Sequence, residues 1–161
     1  MFSEGKKKFL TPLQAYERMK KYCAYQERSH SEVRTQLLEH GLRGNELENI
    51  LVKLIEENFL NEERFSNAFA GGKFRMKSWG KKKIEQHLKA KGVSSYNIKQ
   101  SIKDIDEDAY KIAMMKLLEK KAATLKDTNL FTRKQKLSSY LISKGYESAI
   151  VYAAVKKFFE K

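Results

Sequence analysis

The sequence has one proline, Pro12, and one cysteine, Cys23, in 161 residues. It also lacks any Val/Thr-rich alternating run, so no segment reads as a half-buried strand. A single cysteine excludes an intramolecular disulfide, and the CxxC or CxxH spacing of a zinc site is missing. A reducing cytoplasm is the compartment that suits such a chain. The basic start MFSEGKKKFL is followed by no apolar stretch long enough for a signal peptide or a membrane span. Residues 1–10 therefore read as a basic, frayed tail. Acid is scarce in one place: residues 71–103 hold ten Lys/Arg and only Glu85 against them.

What the chain does have is Leu, Ile, Lys and Glu recurring every three or four residues along almost its whole length, the period of amphipathic helices. The net charge of +13 is divided unevenly. Residues 1–70 carry 11 basic and 11 acidic side chains, whereas residues 71–161 carry 22 and 9. Charge packed this densely repels itself and favours a polyanionic or acidic partner.

Three glycines that follow apolar helical runs, Gly41, Gly92 and Gly145, bring the chain into register with itself without a gap. Eight residues before them stand Val33, Ile84 and Leu137; four before stand Leu37, Leu88 and Leu141; one after stand Leu42, Val93 and Tyr146. The match continues through Leu47/Ile98/Val151, Leu51/Ile102/Val155 and Leu54/Ile105/Phe158. A spacing of 51 and then 53 residues is that of a repeated three-helix unit. Each glycine supplies the left-handed cap that ends the middle helix.

The expected fold is all-α: three tandem three-helix repeats stacked into an elongated, curved body, because one such unit is small for a core of its own. The repeats are placed at 11–60, 61–105 (the most basic) and 106–161. Helices are expected near 12–26, 31–40 and 45–58; 62–78, 80–91 and 95–105; 107–124, 133–144 and 147–160. Thr11-Pro12-Leu13-Gln14, Ser29-x-x-Glu32 and Thr132-x-x-Gln135 read as capping boxes, and Asn61 and Asp106 as caps. The first helices have the stripes Ala15/Tyr16/Met19, Phe65/Ala68/Phe69 and Ala109/Tyr110/Ala113/Met114/Leu117.

Catalytic chemistry finds little support. Gly71-Gly72-Lys73 and Gly80-Lys81 fail the spacing of a phosphate loop, and no strand precedes them. His30 falls within a capping box, and His40 and His87 fall on polar faces of middle helices, where they suit neither a metal nor a general base. Cys23 reads as a small buried hydrophobe. Glu56/Glu57 and Glu62/Glu63 are adjacent pairs, which on a helix do not face each other and read as solvated. Phe74, Tyr152, Phe158 and Phe159 at helical spacing read as core, with Trp79 less settled beside its lysines. No metal, cofactor or catalytic residue is expected.

The lysines are the exception. Ile84 and Leu88 take the buried stripe of the helix in WGKKKIEQHLKAKG, so Lys81, Lys82, Lys83, Lys89 and Lys91 splay over its other faces, with Lys73, Arg75 and Lys77 nearby. They read as a docking surface, and Arg133, Lys134 and Lys136 form a secondary basic group.

At Leu60-Asn61-Glu62-Glu63-Arg64-Phe65-Ser66-Asn67-Ala68-Phe69, followed by Arg75, Gly80, Ile84, Leu88 and Lys91-Gly92-Val93, the sequence resembles the central motif of the RecX regulatory family. Ala15 through Ser31-Glu32-Val33-Arg34-Thr35-Gln36-Leu37 resembles that family's opening helices. Asn61 stands where the family often has Asp, and Ser66 where it often has Ala. The resemblance implies a regulator of the RecA recombinase in DNA repair and the SOS response. Such a protein lies in the helical groove of the RecA–DNA filament and mostly inhibits its recombinase and ATPase activity, with no catalysis of its own. A cytoplasmic monomer is expected, with RecA and the RecA–DNA filament as partners and single- or double-stranded DNA as a direct partner in the alternative. Two other readings stand beside it: a plain nucleic-acid-binding helical repeat, and a protein-interaction scaffold using Glu46, Glu48, Glu56 and Glu57 of the near-neutral first unit.

Overall fold

The computed structural model describes residues 8–160, and among these it contains nine α-helices and no strand. The chain runs α1 (Pro12–Tyr25), α2 (His30–Glu39), α3 (Gly44–Glu56), α4 (Glu62–Lys77), α5 (Lys81–Ala90), α6 (Ser95–Lys103), α7 (Glu107–Thr124), α8 (Leu130–Ser143) and α9 (Ser148–Phe159). Thr11 caps α1 and Ser29 caps α2 with complete capping boxes. Asn61 accepts from the Arg64 amide and Asp106 from the Ala109 amide, closing the first turns of α4 and α7.

The third expected box is displaced. Asn129, not Thr132, caps α8, accepting from the Thr132 amide at 3.0 Å. Helix α8 thus starts earlier than its register with α5 implies, and Thr132 lies inside it. A short polar side chain placed before the helix wins, because it satisfies an otherwise orphaned amide.

The glycine register is realised as one repeated joint. Gly41, Gly92 and Gly145 have φ of 88°, 76° and 103°. In each unit the residue after the glycine donates its amide to the carbonyl of the buried leucine four residues before it: Leu42 to Leu37 at 3.0 Å, Val93 to Leu88 at 3.1 Å and Tyr146 to Leu141 at 3.2 Å. This is the Schellman pattern, and it turns the chain so that the residue after the glycine drops into the core. The eighteen register positions are buried apart from Ile102 and Phe158, which are half-buried against the core.

Burial divides into two cores. Ala15, Met19, Val33, Leu37, Leu51 and Leu54 belong to one formed by α1–α3. Ile84, Leu88, Tyr110, Leu118, Leu141 and Val151 belong to another shared by α4–α9. The long first helices depart from the expected stripes. Ala68 is exposed while Ser66 and Ala70 are buried, and α7 buries Tyr110, Met114, Leu118 and Ala122 with Leu117 only half-buried. Ser66 is accommodated because its hydroxyl lies 2.8 Å from the Ser101 hydroxyl and donates to the Asn97 carbonyl at 3.1 Å. A buried hydroxyl with partners costs little.

His40 corrects the expectation of a solvated histidine: it is only 1% exposed. Its Nδ1 lies 2.9 Å from the Lys8 carbonyl, and the Leu10 amide donates to the His40 carbonyl at 3.1 Å. Residues 1–7 of the expected tail lie outside the described residues. Lys8 to Leu10 are not frayed but held against the end of α2.

Helix α5 is secured from both sides. Its N-terminal amides are capped by the α8–α9 turn: Gly80 donates to the Lys144 carbonyl and Lys82 to the Gly145 carbonyl, each at 2.8 Å. The Lys81 amide donates to the Tyr110 hydroxyl at 2.9 Å, which in turn donates to Glu147 at 2.6 Å. At the other end, the Ser31 hydroxyl donates to the Lys91 carbonyl at 2.9 Å, and Lys91 Nζ pairs with Glu32 at 2.7 Å. The helix carrying the lysines is therefore fixed by residues of α2, α7 and the α8–α9 turn.

Candidate polyanion-binding surface

With Ile84 and Leu88 fully buried, the remaining faces of α5 are committed to polar contact and to α4. The C-terminal half of α4 runs beside it and supplies Phe69 and Lys73, and the short link before α5 supplies Trp79. These form one cluster. The Trp79 and His87 rings lie 4.5 Å apart between centroids, and Phe69 meets Trp79 edge-on at 6.3 Å and stacks on His87 at 6.5 Å. Lys73 Nζ stands 5.1 Å from the Trp79 centroid, Lys83 Nζ 4.6 Å from it, and Lys91 Nζ 5.8 Å from that of Phe69. The ring faces attract the ammonium groups and partly offset their mutual repulsion.

His87 registers the field of this cluster. Its pKa lies below the ordinary imidazole range, first through burial and then through the charges of Lys83, Lys73 and Lys91. Helices α4 and α5, with the Lys91 cap that follows α5, thus bring positive charge to one aromatic patch.

The structure sorts the other expected residues differently. Lys81 turns away to Glu107 and lies 4.6 Å over the Tyr110 ring. Lys89 pairs with Glu85 at 3.1 Å. Lys82 and Lys77 are exposed and have no acidic partner among the described residues. Arg75 folds back over Gly71, where a side chain would collide with its guanidinium. In the secondary group, Arg133 and Lys134 stand 5.2 and 5.9 Å from the Phe159 ring, and Lys136 pairs with Asp127 at 2.8 Å. His87 is the participant that sequence reasoning set aside. Its position one turn beyond Lys83 and one before Lys91 was the available signal.

Elsewhere the chemistry is structural. Among the described residues no cluster of His, Cys, Asp or Glu could hold a metal, and no helix is long and apolar enough to cross a membrane. Cys23 is buried, and burial pushes its thiol up to about 11. The acidic residues of the first unit are partly spoken for: Glu48 pairs with Arg34 and Glu57 accepts from the Tyr16 hydroxyl. Glu62 accepts from the Asn97 side chain at 2.6 Å.

Comparison with known proteins decides the family. Residues 61–102 match the model of the second three-helix domain of RecX, and residues 113–155 match that of the third. The regulatory protein RecX of Pelodictyon phaeoclathratiforme is 30% identical over 131 residues, covering 80% of both chains. The chain belongs to the RecX family. The regulatory protein RecX of Halalkalibacterium halodurans is 34% identical over 134 residues, covering 83% of this chain and 50% of the relative. That of Lactococcus lactis subsp. cremoris is 30% identical over 132 residues, covering 80% and 49%. The chain thus spans about half the length of these two relatives.

A crystal structure of regulatory protein RecX superposes with a TM-score of 0.82 at 25% identity, covering 91% of this chain and 71% of that one. RecX from Lactobacillus salivarius gives 0.81 at 19% identity, covering 91% and 95%, and shares the fold. The helical repeat architecture is therefore that of RecX proteins. Within it, Asn61 caps α4 as an aspartate would, so this departure from the family pattern leaves the helix start intact.

Proposed function

We propose that this RecX protein is a non-catalytic, cytoplasmic regulator that binds the RecA–DNA filament in its helical groove as a monomer and restrains RecA's recombination and ATP hydrolysis. In this reading the chain divides into a basic tail at 1–10 and repeats at 11–60, 61–105 and 106–161, and no cofactor is needed. The observation that carries it is the convergence of Lys73 and Lys83 on Trp79 beside His87, with Lys91, which also pairs with Glu32, over the adjoining Phe69 ring. A filament groove bordered by DNA phosphate and acidic protein offers many negative groups at once, and a surface that holds cations together against their own repulsion gains most from such a partner. Anchoring α5 at both ends keeps the lysines placed, so little ordering entropy is lost on binding.

Lys73→Gln combined with Lys83→Gln tests this, because neither side chain has an acidic partner among the described residues and the buried stripe is untouched. The affinity for the RecA–DNA filament and the inhibition of RecA ATP hydrolysis should both fall. RecA alone and DNA alone serve as the comparison arms: a loss confined to DNA alone would favour a plain nucleic-acid binder. Wild-type inhibition by the folded double variant would reduce these lysines to a solubilising coat.

A further inference from the structure

The third set of helices carries a surface that filament docking through α4 and α5 does not use. An open groove of ≈ 980 Å³ is lined by Phe131 and Tyr140 of α8, Tyr152 of α9, and Lys121, Lys134 and Lys136. Among the described residues, no acidic side chain lines it. Phe131 is 68% exposed and Tyr152 59% exposed. Tyr140 differs, because Lys121 and Lys144 stand 5.0 and 5.7 Å from its centroid and occupy its surroundings with charge. Lys136 is paired with Asp127. What the groove offers a ligand is two exposed aromatic rings, on different helices, and the ammonium groups of Lys121 and Lys134, which lie over the Tyr140 and Phe159 rings and have no acidic partner among the described residues.

We propose that this groove binds single-stranded nucleic acid, with Phe131 and Tyr152 as stacking platforms for bases and Lys121 and Lys134 as partners for phosphates. Flat apolar rings beside cations suit a ligand that alternates flat apolar faces with negative charge. Every base has such a face, so stacking needs no particular sequence. A duplex keeps those faces inside its own stack and presents backbone and base edges, not base faces, to the rings. An acidic peptide matches the charge but has no repeating planar group for two open rings.

The test uses the full chain and two labelled ligands of equal length, an oligothymidylate and an abasic sugar-phosphate strand, followed by fluorescence anisotropy. Phosphate contacts anywhere on the protein contribute to both, so the difference between them isolates stacking. The wild type should prefer the oligothymidylate roughly ten-fold or more, and Phe131→Ala with Tyr152→Ala should remove most of that preference while leaving abasic binding near wild type. Both positions are exposed, and circular dichroism checks that the variant stays helical. Equal binding of the two strands by the wild type overturns the proposal. So does a preference that survives the double substitution, or tighter binding of an acidic tyrosine-containing peptide than of the oligothymidylate.

Discussion

Gly80 packs against Gly145 so closely that a Cβ on Gly80 would stand 2.3 Å from the Gly145 carbonyl carbon and 2.3 Å from the Tyr146 amide nitrogen. Two backbones meet there, neither with a side chain, and the meeting lets the α8–α9 turn cap α5. Neither backbone can yield without breaking those caps. Gly80→Ala should therefore cost about 1–3 kcal/mol or more, as overpacking of a filled site does. Gly92 has open space where a Cβ would go. Gly92→Ala should cost on the order of 1 kcal/mol, from its left-handed backbone alone. Urea unfolding of the two variants checks the order, and equal losses would mean that the joint is not tight.

The lysines of α5 should not be equivalent. Lys83 lies over Trp79 within the cluster, whereas Lys81 is turned to Glu107. In a salt series against the RecA–DNA filament, Lys83→Gln should lower affinity more than Lys81→Gln. Each phosphate contact removed should reduce the salt slope by about one unit. Glutamine keeps nearly the helix propensity of lysine, so helicity should not change. A larger loss from Lys81→Gln would place the contact surface on the α7 side instead.

His87 provides a pH signature. Its folded pKa is depressed, by burial first and then by the neighbouring lysines, so the unfolded chain binds its proton more readily. Its linkage makes folding less favourable as pH falls through the unfolded histidine value, and the loss is complete below the depressed folded value. A bound polyanion neutralises the lysines and raises the His87 pKa, so binding takes up a proton and tightens as pH falls across that range. Titration of the His87 ring by NMR, with and without inorganic polyphosphate, should show this upward shift. An unchanged titration would separate His87 from the binding surface.

Cys23 should react slowly while the protein is folded. It is buried, and burial pushes its thiol up to about 11, so little thiolate exists near neutral pH. Alkylation by iodoacetamide at pH 8 should be slow in the native protein and fast in denaturant. Rapid native alkylation would mean that α1 opens readily from the first core.

Much of this architecture is a property of short-range sequence. The register of Gly41, Gly92 and Gly145 with its flanking apolar residues is legible because a left-handed cap and a 3.6-residue period depend only on neighbours along the chain. The caps at Thr11, Ser29, Asn61 and Asp106 are legible for the same reason, as is the excess of lysine on α5. Thr132 shows where local rules compete: two polar residues three apart can each start a helix, and Asn129 captures the amide.

What the sequence could not decide is which charges act together. Lys73 and Lys83 are ten residues apart on different helices and share the Trp79 ring, while Lys81 and Lys89, inside the same run, are drawn to Glu107 and Glu85. The Lys89–Glu85 pair is four residues apart on one helix and legible from spacing alone. The shared Trp79 ring and the Lys81–Glu107 pair, however, depend on how α4, α5 and α7 cross, which residue types alone do not specify. The same holds for His40, whose polar character suggests solvent but whose ring is covered by Lys8 to Leu10. Local patterning determined the helices, the repeat and the basic surplus. Tertiary packing selected the cluster around Trp79 and His87, because electrostatic and ring contacts act through space over a few ångströms whatever the separation along the chain.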